Sequence, residues 1–315
     1  MAAKNAVVTF HQVPSATWFR NTLQTIGRLF RFANVDEVDA FLHGDHPLRS
    51  SCLVSFDDGD RSFRDVALPV LQELSIPALL FVSPAILAAN SGYWFQELGE
   101  LRRRLDAATI RRTMAEQLDI RYDAVTGFAI NSLAKQMPLA DLRQVIEALQ
   151  GQSTVTGSTT DNLSLDEVRD LSQLDLITIG AHTMHHAILR NESREIATRE
   201  IDDSIDTLAE LTGQPIRTFA YPNGVPGVDF SDREQRALRE KGVTLAFATH
   251  SGFLGPKTDP LAIPRIAMSA TPADTGSKVM GKLLLAPFWD KLRNQRELEQ
   301  RRRIAVLLAE QGQPQ

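Results

Sequence analysis

Short apolar runs alternate with longer amphipathic stretches along the first third of this chain. Residues 52–56 and 79–82 are apolar runs, and residues 62–74 between them have the periodicity of a helix. A further apolar run covers residues 176–180. Short runs rich in β-branched and aromatic residues predict strands, and strands separated by helices predict a parallel sheet. The pattern therefore predicts an α/β fold, without deciding between a barrel and an open doubly wound sheet.

Residues 93–157 interrupt this rhythm. They are charged and largely helical in pattern, with Leu98, Leu101 and Leu105 spaced to share one face of a helix. This spacing predicts a helical insertion within a single domain that covers residues 1–276. Trp94, in an aromatic cluster at the start of the insertion, is a candidate to stack on a sugar ring; the alternative is that it anchors a helical hairpin.

Residues 277–315 form a second departure, a C-terminal amphipathic helical tail. Lysines and arginines flank Leu283, Leu284 and Leu285 here. A basic helix with an apolar face either packs on the domain or lies on an anionic membrane surface. Peripheral membrane contact through this tail is therefore one expectation.

Composition limits the possible functions and the expected compartment. The chain has 315 residues, of which 43% are hydrophobic and 23% charged, enough for one large domain, and its net charge is −5. No nucleic-acid-binding motif is present, so we expect no nucleic-acid partner. The first residues contain no apolar signal segment, and we expect a cytoplasmic protein. The single cysteine, Cys52, is expected in the core.

Two adjacent carboxylates follow the first of these apolar runs. Asp57 and Asp58 precede Gly59, which permits a tight turn directly after the predicted strand. In α/β folds, ligands and reacting groups gather at the carboxyl ends of strands. Asp and Gly also favour turns for backbone reasons, so the pair alone is weak support for a site.

Three histidines follow the run at residues 176–180. His182 and His186 are four positions apart and would share one face of a helical or helix-like turn, while His185 is a rival partner for His182. Imidazole nitrogens and carboxylate oxygens bind zinc and similar metals. Two of these histidines and one aspartate would complete a catalytic metal site with an open position.

These two motifs and a third, residues 219–224, occur in an order that resembles the polysaccharide deacetylases. These metal-dependent carbohydrate esterases remove N-acetyl groups from sugar polymers. The resemblance implies a distorted (β/α) barrel of about seven units. It also implies that Asp58, His182 and His186 bind the metal, that Asp57 is the general base, and that the N–H of Asn223 stabilises the oxyanion.

The third motif departs from the usual family pattern at two positions. An arginine that normally orients the catalytic aspartate is replaced by Ala220, and a tyrosine is replaced by Asn223. Arg265 is a candidate replacement and lies within residues 261–266, which predict the last barrel strand. We hypothesise that Arg265 reaches back to Asp57; the alternative is an arginine at the surface.

The catalytic acid is also unassigned, because no histidine follows His250, whereas many relatives carry one in a late motif. His250 and His11 each follow a predicted strand, and either could donate a proton or line the substrate site. Tyr221 and Pro222 of the third motif are further candidates to line the substrate site.

The sequence therefore predicts a metal-dependent hydrolase that removes an N-acetyl group from an amino sugar or saccharide during glycan or surface polysaccharide synthesis. The cofactor would be one divalent ion, with zinc the first candidate and cobalt, manganese, nickel or iron as alternatives. Two other functions are left open by the sequence. One is hydrolysis of a small amide, ureide or formamide, and the other is a catalytically silent relative that binds carbohydrate.

Overall fold

The computed structural model describes residues 4–152, 161–268, 278–285 and 295–311. They form two compact units. The first comprises Met1–Asn90 and Asp161–Asp290, and the second comprises Ser91–Thr160 and Lys291–Gln315.

The first unit is built on one parallel sheet. In chain order, the strands are β1 (Ala6–Phe10), β2 (Arg31–Phe32), β3 (Ser51–Phe56), β4 (Ala78–Val82), β5 (Ile177–Ala181), β6 (Thr218–Ala220), β7 (Leu245–Phe247) and β8 (Ile266–Ala267). The sheet order is β7-β6-β5-β4-β3-β1-β8, and the short β2 pairs with β3. Every pair in the described sheet is parallel.

The sheet closes on itself through the segment that ends in β8. Ile263 forms a parallel bridge with Phe247 of β7, and three residues later β8 pairs with β1 through Ile266. The same short segment therefore bonds to both edges of the sheet. The closed, irregular sheet confirms the predicted α/β class and its distorted barrel.

Helices cover the strands of the first unit and make up the second. In chain order they are α1 (Ala16–Gly27), α2 (Val35–Leu42), α3 (Leu68–Leu74), α4 (Pro84–Ala88), α5 (Trp94–Arg104), α6 (Ala107–Gln117), α7 (Tyr122–Val125), α8 (Ile130–Ala134), α9 (Leu139–Gly151), α10 (Leu165–Ser172), α11 (Arg194–Thr212), α12 (Asp232–Glu240), α13 (residues 278–285) and α14 (Gln295–Gln311). A π-helical turn, Phe63–Ala67, leads into α3, and a 3₁₀ turn covers Leu189–Asn191. Ser164 and Glu167 form a capping box at the start of α10.

Alternate strand residues face two hydrophobic clusters. Val8, Val54 and Leu80 pack with the surrounding helices, whereas Val7, Leu53, Leu79, Phe81 and Phe247 fill the barrel interior. This is the period of two expected for strands buried on both faces. Gly180 leaves space for the ring of Phe81 in the barrel interior, because a Cβ atom at position 180 would lie 2.5 Å from that ring.

The second unit contains the predicted helical insertion. Helix α6 packs against α9, and α14 packs against α8. Lys135 at the end of α8 forms an ion pair of 2.6 Å with Glu297 of α14, and Arg301 donates to the Lys135 carbonyl. The structure thus groups α14 with residues 91–160, whereas α13 belongs to the first unit.

Two residues at the end of α13 are candidates for the predicted membrane contact. Leu283 is buried in the main hydrophobic cluster, but Leu284 and Leu285 are exposed. Within the part of the chain that the structure describes, no helix has the length and apolar character needed to cross a bilayer. Peripheral contact with a membrane stays a prediction.

Cys52 should resist thiol reagents as long as the protein is folded. Its side chain is buried on β3, and burial raises the pKa of the thiol to about 12, so almost no reactive thiolate forms at mildly alkaline pH. Labelling with a chromogenic disulfide reagent should therefore be slow in buffer and complete in denaturant. Rapid labelling of folded protein would contradict the burial of this strand.

Candidate metal centre

The residues that the sequence analysis selected converge at one end of the barrel. Asp57 and Asp58 directly follow β3, His182 follows β5, and Asn223 and His250 lie just beyond β6 and β7. Because all of these strands run parallel, their carboxyl ends share one end of the barrel.

Asp58, His182 and His186 form a buried cluster there. The Asp58 Oδ1 atom lies 3.5 Å from Nε2 of His182 and 3.5 Å from Nε2 of His186. The two imidazole rings are 4.8 Å apart between centroids and nearly perpendicular. Among the described residues this is the single group of at least three His, Cys, Asp or Glu side chains with ligand atoms within 4.8 Å of one another.

The backbone turn after β3 aims Asp58 at the histidines. Asp58 and Gly59 both have left-handed conformations, with φ values of +72° and +66°. Leu163 donates a hydrogen bond to the Gly59 carbonyl at 2.8 Å, which fixes the turn from the opposite side. Asp tolerates positive φ better than most residues, so the sequence Asp-Gly suits this turn.

The histidine segment is a loop, and the predicted helical turn for His182 and His186 is wrong. Residues 182–188 form no helix in the structure. The loop instead turns at Thr183 and His186, whose φ values are +59° and +58°. Two left-handed residues therefore bring the two imidazoles together, where the sequence suggested the four-residue spacing of a helix.

A backbone carbonyl sets the orientation of His182. Its Nδ1–H donates to the Ala220 carbonyl at 2.7 Å, which directs Nε2 toward the Asp58 carboxylate. In the neutral imidazole, Nε2 then carries a lone pair that faces another acceptor, an arrangement that requires a cation or a proton between them. Burial lowers the pKa of His182, but the hydrogen bond to Asp58 and the nearby carboxylates raise it more.

His186 and Asp58 are held in the protonation states that metal binding needs. Burial lowers the pKa of His186 to about 3, which keeps its imidazole neutral. Burial alone would raise the pKa of Asp58, but the neighbouring histidines lower it by more. The pKa of Asp58 therefore lies below its ordinary value, and the carboxylate stays ionised. A neutral imidazole and an ionised carboxylate are the forms that act as metal ligands.

The spacing of these side chains fits a divalent ion. An ion held tetrahedrally at about 2.1 Å from nitrogen and oxygen ligands places neighbouring ligand atoms about 3.4 Å apart. The observed separations from Asp58 are 3.5 Å. Two imidazoles and one carboxylate form the ligand set of catalytic zinc sites, which leave a further position open.

His185, the rival ligand, points elsewhere. Its Nδ1 atom lies 2.7 Å from Oε1 of Glu200 on α11, and its backbone N–H donates to Oε2 of the same carboxylate at 2.8 Å. The imidazole is half exposed, in contrast to the buried rings of His182 and His186. His185 is therefore paired with Glu200 and is not part of the cluster around Asp58.

Asp57 is paired with Arg265, as the sequence-based hypothesis proposed. Both guanidinium Nη atoms contact the carboxylate, at 2.6 Å to Oδ1 and 2.8 Å to Oδ2. The Nε–H of Arg265 donates to the Ala248 carbonyl at 3.0 Å, and Nη1 donates to the Thr9 hydroxyl. Asp57 and Arg265 are both buried, and the planar guanidinium holds the carboxylate through two parallel hydrogen bonds.

These contacts keep Asp57 ionised inside the protein. Burial raises the pKa of a carboxyl group, but the charges of Arg265, His182 and His11 lower the pKa of Asp57 below its ordinary value. His11 stands at the exposed side, with Nε2 3.8 Å from Asp57 Oδ2 and a side chain that is 55% exposed. The two adjacent aspartates thus face different partners, imidazoles for Asp58 and a guanidinium for Asp57.

The loop after β6 places a backbone donor at the same end of the barrel. Asn223 has a φ of +58°, and its carbonyl accepts a hydrogen bond from the Thr249 hydroxyl. Among the residues that the structure describes, the Asn223 N–H donates no hydrogen bond. This amide is therefore available to a substrate oxygen.

Two aromatic residues predicted to bind substrate are buried instead. Tyr221 stacks on Phe230 at 3.6 Å between ring centroids, and its hydroxyl donates to the Leu261 carbonyl. Trp94 in the second unit is 4% exposed and packs edge-to-face on Phe95. Both rings are thus packed against other side chains, and the sugar stacking suggested for Trp94 and the substrate-lining role suggested for Tyr221 stay predictions.

The two other predicted substrate residues differ in exposure. Pro222 is buried beside Tyr221, and its carbonyl accepts the Gly224 N–H at 2.7 Å, so it shapes the loop. His250 is exposed after β7, and partial desolvation lowers the pKa of its imidazole. Its carbonyl accepts the backbone N–H of Arg265 at 3.1 Å.

Sequence reasoning missed Glu200 and Thr9. Glu200 lies on the face of α11 that also buries Ala197, Ile201 and Ser204. An acidic residue on the apolar face of a helix is a signal that could have identified it. Thr9 is one polar residue in an otherwise apolar strand, which is too weak a signal to single out.

Comparison with known proteins supports the assignment that the geometry suggests. Residues 45–246, more than half of the chain, match the family model described as polysaccharide deacetylase. Comparison with curated proteins finds no match.

Several solved structures share the fold. A Streptococcus pyogenes deacetylase, PplD, in complex with acetate is 17% identical, with a TM-score of 0.59, and the match covers 90% of this chain and 99% of that one. IcaB from Ammonifex degensii is 17% identical over 90% and 98% of the two chains, with a TM-score of 0.58. The BpsB deacetylase domain from Bordetella bronchiseptica is 14% identical over 84% and 96%, with a TM-score of 0.55.

The barrel, the Asp-His-His cluster at its carboxyl end and the family match over residues 45–246 lead to one conclusion. This chain belongs to the polysaccharide deacetylase family.

Proposed function

We propose that this protein hydrolyses the N-acetyl group of an amino sugar within a saccharide. The observation that carries the proposal is that the adjacent carboxylates of Asp57 and Asp58 have different partners. Asp58 is turned toward two imidazoles, and Asp57 is held by Arg265, so one carboxylate serves as a ligand and its neighbour remains available as a base.

Asp58, His182 and His186 would hold a divalent ion, with zinc as the first candidate. An ion in this position supplies Lewis-acid chemistry, since it makes water more acidic and polarises a carbonyl group. Amide hydrolysis needs both effects, because an amide is a poor electrophile and water is a poor nucleophile.

The remaining steps fall to residues around the cluster. Asp57, ionised and oriented by Arg265, would accept the proton of the attacking water. The N–H of Asn223 would donate to the oxygen of the acetyl group as negative charge develops there. His11, exposed and 3.8 Å from Asp57, would deliver a proton to the leaving amine.

Arg265 also argues for an active enzyme over a silent relative. Ala220 is the reason to expect inactivity, because it removes the arginine that usually orients the base. The guanidinium of Arg265, which directly precedes β8, contacts both carboxylate oxygens of Asp57, so the orienting contact is retained. The solved S. pyogenes deacetylase, similar in fold, is described in complex with acetate, which is the product expected here.

The proposal predicts acetate release from N-acetylated saccharides. Protein stripped with a chelator should be inactive, and reloading with zinc, cobalt, manganese, nickel or iron should restore acetate release from N-acetylglucosamine oligomers. A cyclic ureide and a formamide, assayed in parallel, test the small-amide alternative. Bound metal with no acetate release from any N-acetylated sugar would contradict the proposal, and turnover of the ureide or formamide alone would replace it.

A further inference from the structure

We propose that Glu200 is a positioning residue that fixes the histidine loop in its metal-binding conformation. This inference rests on the proposed metal centre. Glu200 lies on α11, and within the part of the chain that the structure describes its carboxylate bonds to His185 and to neither Asp57 nor the imidazoles of His182 and His186. Glu200 bonds to Met184 and His185, two of the three residues between the proposed ligands His182 and His186.

The loop between the two ligands has a strained backbone. Thr183 and His186 both have positive φ, and Thr183 is a β-branched residue for which this conformation is especially unfavourable. A residue in such a region is unfavourable by itself and persists only where its surroundings enforce it. The imidazole of His186 points at Asp58 as a result of this turn, so whatever enforces the turn also orients a ligand.

Glu200 makes three contacts with this strained segment. Its backbone carbonyl accepts the Met184 N–H at 3.0 Å. One carboxylate oxygen accepts the His185 N–H at 2.8 Å, and the other accepts the His185 Nδ1–H at 2.7 Å. A single residue therefore holds two consecutive peptide groups and one side chain between the ligands.

Other groups hold the loop on its opposite side. The Ser83 hydroxyl donates to the His182 carbonyl at 2.7 Å, and the Ala85 N–H donates to the Met184 carbonyl at 3.1 Å. The peptide groups of the loop thus lie between the start of α4 and the side chain of Glu200. Within the turn itself, the Ala187 N–H donates to the Thr183 hydroxyl at 3.0 Å, and Glu200 is the side chain that holds the loop from α11.

The burial of Glu200 shows that this contact is specific. The residue is 8% exposed on the face of α11 that packs in the core. A buried carboxylate is unfavourable unless hydrogen bonds compensate it. The backbone N–H and the imidazole of His185 provide that compensation, while the imidazole itself stays half exposed and contributes no ligand atom.

Metal affinity is the quantity that separates positioning from a general structural role. Glu200→Ala removes both carboxylate bonds and should weaken Zn²⁺ binding by about 10–100-fold, the usual effect of losing an outer-shell partner. Glu200→Gln keeps the size and one acceptor, so its loss should be smaller. Glu210→Ala, an exposed acid on the same helix, is the matched control and should bind like the wild type.

His185→Ala separates the two carboxylate contacts. It removes the imidazole but keeps the backbone N–H that bonds to Glu200, so we expect affinity close to the wild type. Competitive titration with a chromogenic chelator measures affinity, and the absorption spectrum of the Co²⁺ form reports ligand geometry. Unchanged affinity and spectrum in both Glu200 variants would overturn the proposal, as would an equal loss in His185→Ala and Glu200→Ala.

A readout without metal keeps this inference separate from the proposed function. In metal-free protein, amide hydrogen exchange of residues 183–187 should be faster in the Glu200 variants than in wild type or Glu210→Ala. If amide exchange of residues 183–187 is unchanged in the Glu200 variants, the positioning role of Glu200 is overturned, even if wild-type protein binds no metal. Conversely, the predicted order of affinities with an inactive wild type would contradict deacetylation and leave the positioning role supported.

Discussion

Replacing Asp58 by asparagine should abolish deacetylation and greatly reduce the metal content of the purified protein. The change removes the charged ligand that faces both His182 and His186 at 3.5 Å. Loss of an outer-shell partner alone costs about 10–100-fold in metal affinity, so loss of this ligand should cost more than about 100-fold. Asparagine also tolerates the φ of +72° at this position, so the turn should survive.

Metal content by mass spectrometry and acetate release would be measured on the same preparations. Asp65→Asn makes the same chemical change at a half-exposed residue paired with Arg64, and it should leave both quantities unchanged. His186→Asn, which also suits a left-handed backbone, should behave like Asp58→Asn. Stoichiometric metal and normal turnover in Asp58→Asn would show that this cluster is not the metal centre.

Replacing Arg265 by alanine should reduce turnover and stability together while the metal ligands remain in place. The substitution leaves the Asp57 carboxylate buried without its guanidinium partner, and breaking a buried ion pair in this way typically costs about 3–5 kcal/mol. Turnover should fall because the base loses its bidentate support. Metal content at saturating Zn²⁺ should stay stoichiometric, which distinguishes this variant from Asp58→Asn.

The pH dependence should also change in a defined direction. In wild type, Arg265 helps to hold the pKa of Asp57 below its ordinary value, so Asp57 is an ionised base down to acidic pH. Without Arg265, burial raises this pKa, and the acid limb of the kcat/KM profile should move to higher pH. Folding stability of the variant should decrease as rising pH ionises Asp57, whereas the wild-type pair loses its contribution as falling pH protonates it.

A double variant tests whether the uncompensated charge causes the instability. Asp57→Asn combined with Arg265→Ala removes both charges, so its thermal midpoint should lie above that of Arg265→Ala alone. The double variant should lack turnover because it has no carboxylate base, whereas Arg265→Ala should keep a reduced turnover. If the double variant is as unstable as Arg265→Ala, packing of the arginine stem on its neighbours, and not the ion pair, explains the loss.

Local patterns predicted the α/β fold because they coincide with burial in this structure, whereas the barrel was implied only by the family resemblance. Strands β3, β4 and β5 are almost entirely buried, and such strands appear in sequence as short continuous apolar runs. The closing segment was harder to recognise, because β8 is only two residues long and its neighbour Ile263 bonds to β7 through an isolated bridge. Arg265, in the same closing segment, was identified because Ala220 occupies the position where the family pattern has an arginine.

The residues of the Asp-His-His cluster could be predicted from the sequence, but their backbone geometry could not. Spacing of four residues suggested one helical face for His182 and His186, whereas left-handed conformations at Thr183 and His186 produce the same convergence. Such conformations depend on the surrounding contacts, here with Ser83, Ala85 and Glu200, which are distant in sequence. A single sequence shows no sign of these contacts.

The burial of Tyr221 and Trp94 likewise could not be predicted from the local sequence pattern. Tyr221 and Trp94 carry polar atoms that suit a binding surface, but Tyr221 uses its hydroxyl within the barrel, on the Leu261 carbonyl. Whether an aromatic ring faces solvent or core depends on the residues that pack on it, such as Phe230 against Tyr221. Only the tertiary structure shows this.

The position of Arg265 in the closing segment has a consequence for how the enzyme is made. Asp57 and its partner are separated by 208 positions in the chain, and the partner is one residue from β8. During synthesis, Asp58, His182 and His186 all leave the ribosome well before Arg265 does. Asp57 can therefore gain its guanidinium partner only after the segment that ends in β8 has been synthesised and has bonded to β7 and β1. A nascent or prematurely terminated chain would carry Asp57 and the Asp-His-His cluster without Arg265, and under the proposed mechanism its base would lack orientation.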